Sequence, residues 1–166
     1  MAFNDREMRR HDKRVQDKAW MEDVIRRGRV ISIALCSLGG EPYVVPMGYG
    51  YEDGVIYLHG AGSGLKNDLI AENPRVSFNV YVDAELFRHE IGSKFSMKYR
   101  SVTGFGDISE IMELSLKNYA LAMIMRQYDG PHDDLTEENH SRVWVGKIDI
   151  REMSGKESGY RHVTEG

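Results

Sequence analysis

Asp53-Gly54 stands between two apolar, β-branched runs, "EPYVVPMGYGY" and "VIYLHGA". This dipeptide accepts the positive φ of a type I′ turn, whose twist matches that of paired strands. It therefore predicts a hairpin. Upstream, "RVISIALCSL" is a further strand-like run, closed by Gly39-Gly40. Three consecutive antiparallel strands, a meander over about 29–60, are the strongest constraint on what this chain can become.

The remaining segments extend the same plan. A helix is predicted over 17–27, with Asp17 as its cap, Gly28 at its end, and Met21, Val24 and Ile25 on one face. A short helix over 65–72 stops before Pro74. "RVSFNVYVD" alternates Val76, Phe78, Val80 and Val82 as a fourth strand, and 83–95 reads as a mixed loop. "MKYRSVTGFGDISEI" is a long fifth strand whose Gly104 and Gly106 suggest a bend or close backbone approach. "MELSLKNYALAMIMRQY" is an amphipathic helix that turns Leu114, Leu121, Ile124 and Met125 to a core. A polar loop over 129–140 precedes the last strand, "RVWVGKIDIREM". About six strands with two or three helices predict a mainly β (α+β) fold, a small antiparallel barrel with peripheral helices. Strands and helices do not alternate, and "GFGDIS" lacks a GxGxxG opening a helix, so a Rossmann fold is excluded.

Composition narrows the partners. A chain of 166 residues favours one domain over 1–166, with a solvated arm at 1–14 and a polar tail at 155–166. Net charge is −4, which gives no drive toward nucleic acid, the basic cluster "REMRRHDKR" being read as part of the arm. No apolar stretch has transmembrane length and no secretory signal is seen, so no membrane is expected. The single cysteine, Cys36, has no partner for an intramolecular disulfide and fits a reducing cytoplasm. Its apolar setting predicts a small buried filler.

Chemistry concentrates in "YLHGAGSGLKN", residues 57–67. Gly60, Gly62 and Gly64 leave backbone N–H groups open to an anion, and Ser63 adds a hydroxyl donor. Lys66 falls in the first turn of the short helix, where a cation is unfavourable for the dipole unless an anion lies between. The stretch is either a phosphate cradle or a flexible loop with an exposed lysine. It is not a Walker loop. His59 at its mouth is either a structural hydrogen-bonder or a proton donor. Pro42 and Pro46 place the second strand at an edge, or mark a distorted strand that faces a ligand. The six histidines show no paired ligand spacing, so no metal site is expected, and no serine-hydrolase elbow is present.

In order and spacing, "REMRR", "PYVVP", "IYLHGAGSGLKNDLI", "YRSVTGFG" and "SGKES" together resemble the flavin-binding split-barrel superfamily of pyridoxamine 5′-phosphate oxidase. Within it the chain is most similar to the nitroimidazole-resistance (Nim) branch, over about 7–157. The resemblance implies a six-stranded split barrel, a homodimer, and FMN at the subunit interface. It implies Ser63 and Lys66 as phosphate partners, and Pro46, Met47, Gly48 and Tyr49 as the strand along the flavin. His59, Gly60 and Ala61 would sit beside the ring and ribityl chain, with His59 as the catalytic group. Tyr99, Arg100 and Ser101 would lie near the phosphate or reach it across the dimer.

Two departures stand out. Glycine follows His59 where some Nim members carry serine, and 83–95 does not align readily. The extra arginine and substrate motifs of the vitamin-biosynthetic oxidase are absent. The implied function is an FMN-binding oxidoreductase that reduces small acceptors such as nitroimidazole-type nitroaromatics, with an unnamed electron donor. The alternatives are a haem protein ligated by His59 or His162, a deazaflavin protein, and a flavin-binding module without turnover.

Overall fold

The computed structural model describes residues 10–131 and 143–160. The chain enters through a 3₁₀ turn at His11–Lys13 and a two-residue strand β1 (Arg14–Val15). Helix α1 (Lys18–Arg27) starts where Asp17 accepts the Trp20 N–H at 3.1 Å. It buries Met21, Val24 and Ile25 as its periodicity requires. Gly28 ends it in extended backbone at φ −64°, not in a left-handed cap. A Cβ at Gly28 would lie 2.3 Å from Val80 Cγ1, so the glycine is there for close packing.

Strands β2 (Ile31–Cys36), β3 (Pro42–Met47), β4 (Tyr49–Glu52) and β5 (Val55–Gly60) follow. Asp53 (φ 46°) and Gly54 (φ 85°) make the predicted hairpin turn between β4 and β5. After α2 (Leu65–Glu72) come β6 (Arg75–Phe87), β7 (Ser96–Glu110), α3 (Leu114–Gln127) and β8 (Trp144–Ser158). The sheet order is β3-β2-β6-β7-β8-β5-β4, all antiparallel, with β1 added along β8.

β3 and β4 lie at opposite ends of that order, yet Gly48 alone separates them in the chain. One strand bent at Gly48 therefore closes the sheet into a split barrel. Counted as one, β3 and β4 leave six main strands, with β1 as a short addition. Tyr128 holds the bend. Its hydroxyl accepts the Tyr49 N–H at 2.9 Å and donates to the Arg29 carbonyl at 2.9 Å. The distortion expected around Pro46–Gly48 is thus present, and β3 is an edge strand on its side away from β2.

Alternating residues fill the barrel: Ile31, Ile33 and Leu35 from β2, and Val76, Phe78 and Val80 from β6. Gly104 lets the Phe78 ring lie flat on β7, since a Cβ there would be 2.3 Å from Cζ of that ring. A second cluster joins Ala120, Leu121 and Ile124 of α3 to Ile111 and Val145. Of the four α3 positions expected to face a core, Leu121 and Ile124 are buried, and Leu114 and Met125 are half-buried. The α3 backbone rests directly on β4, because a Cβ at Gly50 would stand 2.6 Å from the Ile124 nitrogen.

Three expectations need correction. Residues 83–87 are not loop: β6 runs on to Phe87 and pairs with β7 beyond a register shift between Val82 and Glu85. This hairpin arm projects past the barrel, so no core imposes an apolar/polar alternation on it. The final strand does not stop near Met153, because Gly155–Ser158 continue β8 between β7 and β1. The polar "tail" and the end of the "arm" pair with each other, Arg14 opposite Lys156. Cys36 is half-buried on the outward face of β2, not a core filler. Most of the expected loop over 129–140, the tail beyond Tyr160 and the residues before Arg10 lie outside the described residues.

Candidate functional site

The glycine-rich segment begins where β5 leaves the sheet. Gly60 pairs with Trp144 and His59 with Val145. Gly64, at φ 109°, is the N-cap of α2 and supplies no side chain to cap it. His59, Ala61 and Ser63 are exposed around this turn.

Lys66 does not point freely into solvent. Its Nζ is buried and has no hydrogen-bond partner. It lies 3.8 Å from the centre of the Trp144 ring, itself only 4% exposed. Burial draws the ammonium below the usual lysine range, with the Glu110 carboxylate pulling weakly the other way. Gly60 packs beside this arrangement: a Cβ there would be in ordinary contact with Lys66 Nζ at 3.4 Å and Met47 Cε at 3.8 Å. Met47, Gly60, Lys66 and Trp144 are therefore one cluster. The Asn67 Oδ1 acceptor, one residue on, is also buried without a partner.

A buried cation with unused donor capacity, at the first turn of a helix and beside a bare backbone, matches what a phosphate requires. The residues present fit the phosphate end of FMN. Trp144 escaped the sequence reading. The only available signal was an aromatic followed two residues later by glycine in "WVG". Gly146 is what admits the indole, because a Cβ there would fall 2.3 Å from Trp144 Cη2.

The other expected contacts divide. Pro46 is exposed, and with Arg29, Val30, Ser32, Tyr81 and Asp83 it lines a concavity of about 610 Å³. Gly48 is the barrel bend. Tyr49 is fully buried, with its hydroxyl donating to the Ile25 carbonyl, so its side chain belongs to the core. Burial pushes that phenol well above its ordinary range.

Tyr99, Arg100 and Ser101 pair with the opposite end of β8 from the end beside Lys66. Gly60 is at the Trp144 end of β8, whereas Ser101 pairs with Lys156, twelve residues along the same strand. The closed barrel shortens that separation from the other side, where Pro46 and Tyr81 line one concavity and Tyr81 lines the next with Tyr99 and Ser101. Arg100 is occupied: it donates to Glu157 at 2.7 Å and to Asp83 at 2.8 Å, and stacks 4.4 Å from the Tyr160 ring centre. Asp83 is also held by Arg27 at 3.0 Å, and the two guanidiniums, Arg27 first, keep its carboxyl below the usual range. Arg100 is thus part of a structural ion network. Tyr99 and Ser101 line a separate groove of about 560 Å³.

Among the described residues no group of three or more His, Cys, Asp or Glu side chains could hold a metal, and no helix is long and apolar enough to cross a membrane. His132, His140 and His162 lie outside the described residues.

Comparison with known proteins places this architecture. The structure resembles a candidate 5-nitroimidazole antibiotic resistance protein from Bacteroides thetaiotaomicron, at 29% identity and a TM-score of 0.77, over 86% of this chain and 85% of that one. It shares its fold with the FAD and heme binding protein from Mycobacterium smegmatis (21% identity, TM-score 0.78, 89% and 74% covered). It also shares it with a flavocytochrome from Azotobacter vinelandii (17% identity, TM-score 0.79, 96% and 75% covered). No curated protein matches the chain. The family model described as pyridoxamine 5′-phosphate oxidase matches residues 17–157, most of the chain, and the protein belongs to that family.

Proposed function

We propose that this protein is an FMN-binding oxidoreductase that reduces small acceptors, nitroimidazole-type nitroaromatics among them. The observation that carries this reading is the buried, unpartnered Lys66 ammonium beside the bare Gly60–Gly64 turn. The likeness to a candidate nitroimidazole-resistance protein supports the acceptor class. When bound, the flavin supplies two-electron transfer. The chain's own residues do the rest. Lys66 and Ser63 hold the phosphate, Met47 and Gly60 border the ligand, and exposed His59 supplies a proton from an imidazole nitrogen to the acceptor.

The test separates FMN from riboflavin. Lys66→Ala weakens FMN by about 1.5–3 kcal/mol, the value of a charge-assisted hydrogen bond, and barely changes riboflavin. Equal losses for both ligands would make Lys66 structural and end the phosphate reading.

The working unit in this proposal is a homodimer. Val30, Val44 and Tyr81 on the outward sheet, and Phe87 and Ile91 on the hairpin arm, are exposed. An interface of roughly 2,000 Å² or more is expected. Sedimentation showing a flavin-bound monomer at micromolar concentration overturns it.

A haem-binding reading has one support, the two fold relatives described as heme binding protein and flavocytochrome. The absorbance spectrum of the purified protein decides between flavin and haem.

A further inference from the structure

A single hydroxyl stands in the split of the barrel. β2 and β3 pair from Cys36 opposite Pro42 to Ile31 opposite Met47. Two residues further along each strand, the same register would set Arg29 opposite Tyr49. The chain does not continue that way. β3 ends at Met47, bends at Gly48 and becomes β4, which pairs with β5 instead. The Tyr128 hydroxyl takes the place of the missing rung. It accepts the Tyr49 N–H at 2.9 Å and donates to the Arg29 carbonyl at 2.9 Å. A hydroxyl can do this because it is donor and acceptor at one atom.

The fit around it is close. A Cβ on Gly48 would lie 3.2 Å from the Tyr128 oxygen, so the bend leaves room for the hydroxyl and little else. The Tyr128 ring packs against the second core cluster. Gln127, one residue earlier, fixes the end of α3 from which the tyrosine reaches. Its Nε2 donates to the carbonyls of Ile25, Arg26 and Gly28 at 3.1, 2.9 and 3.1 Å, which closes the C-terminal end of α1.

The two backbones that the hydroxyl joins lead into the walls of one concavity. Arg29 and Pro46 both line the space of about 610 Å³. Met47, between Pro46 and the bend, belongs to the Lys66 cluster. Past Ile31 and Met47 no ladder pair links β2 to this segment, so the bridge sets their separation.

We infer that Tyr128 is a positioning residue: its hydroxyl fixes the Pro46–Met47 segment relative to Arg29, and so holds the wall against which the flavin ring lies. That the ligand is a flavin rests on the proposed function; the bridge does not.

Tyr128→Phe removes the oxygen and keeps the ring. In flavin-free protein, amide exchange read by NMR should quicken at Tyr49 by about tenfold beyond any change at a core amide such as Phe78. Titration should show FMN and riboflavin both weakened by about tenfold, because the ring is common to both. Lys66→Ala, by contrast, separates the two ligands. Tyr51→Phe is the control: it removes another hydroxyl bond, to Glu22 at 3.0 Å, and should leave both affinities intact. Gly48→Ala, whose Cβ would press on the same oxygen, should act like Tyr128→Phe with the tyrosine still present. Unchanged affinities in Tyr128→Phe, or the same loss in Tyr51→Phe, overturn the positioning role. Exchange at Tyr49 no faster than in the unmutated protein overturns the bridge. Unmutated protein that binds neither ligand would end the flavin reading, while quickened Tyr49 exchange in Tyr128→Phe would leave the bridge standing.

Discussion

The Lys66 ammonium sits against the Trp144 ring, 3.8 Å from its centre, buried and with no hydrogen-bond partner. A cation–π contact offsets only part of the desolvation of an ammonium. The pair therefore weakens the flavin-free fold and favours a bound anion.

The first prediction follows from that imbalance. Lys66→Met keeps most of the packing and removes the buried charge. The flavin-free protein should become more stable, by about 1 kcal/mol. The pH dependence has a definite sign. Burial lowers the folded-state pKa of Lys66, so the unfolded chain holds that proton more tightly. Stability should then rise as pH climbs through the folded pKa toward the ordinary lysine range, and Lys66→Met should flatten that rise. Urea unfolding of flavin-free protein from neutral to alkaline pH reads both effects. A less stable Lys66→Met protein at neutral pH would show that the ammonium is satisfied.

Gly146 tests whether the indole positions the ammonium. A Cβ at Gly146 would meet Trp144 Cη2 at 2.3 Å, so Gly146→Ala must move the ring. FMN affinity should fall about tenfold, or 1.4 kcal/mol, while riboflavin, with no phosphate to place, changes little. Isothermal titration with both ligands measures the split. A parallel loss would show general damage to β8.

Asp83 joins Arg27 of α1 to Arg100 of β7, and Arg100 continues to buried Glu157 of β8. Asp83 also holds φ 55° at the base of the hairpin arm, a conformation that asparagine tolerates as well as aspartate. Asp83→Asn thus removes charge without adding backbone strain, and should cost about 1–2 kcal/mol at neutral pH. The two guanidiniums lower the folded-state pKa of Asp83. Its contribution is complete above the unfolded carboxyl pKa and is lost as pH falls through the folded one. The gap between wild type and Asp83→Asn should narrow in acid. A gap independent of pH would assign the loss to packing.

The parts of this fold that are legible in sequence are those governed by local chemistry. Asp53-Gly54 announces its turn because few dipeptides accept two positive φ values, and Val76, Phe78 and Val80 announce their strand because one face must be buried. The β6 side of the hairpin arm is illegible for the converse reason: past Asp83 neither face meets a core, so Glu85, Leu86 and Phe87 keep no period. The site shows the same division. Lys66 and its glycines form one contiguous stretch, but Trp144 reaches them only through the pairing of β5 with β8. Arg100 looked available because no local pattern reveals that Asp83 and Glu157 converge on it from other strands.

His59 carries the last prediction. It occupies the end of β5, exposed, one residue before Gly60, whose bare backbone borders Lys66 Nζ. A ring anchored by its phosphate at Lys66 would lie within reach of this imidazole. As a nitroaromatic gains electrons it must also gain protons, and a positioned general acid contributes about 10²–10⁴-fold. His59→Asn keeps a polar side chain of similar reach. FMN affinity should stay within about tenfold, while acceptor reduction falls by on the order of 10²-fold. The measurement is anaerobic stopped flow: the bound flavin is reduced chemically, a nitroimidazole is added, and reoxidation is followed by absorbance. Unchanged reoxidation in flavin-replete His59→Asn protein would assign the histidine to structure. Loss of the flavin itself would make His59 a binding residue and move the search for the proton donor elsewhere around the Gly60–Gly64 turn.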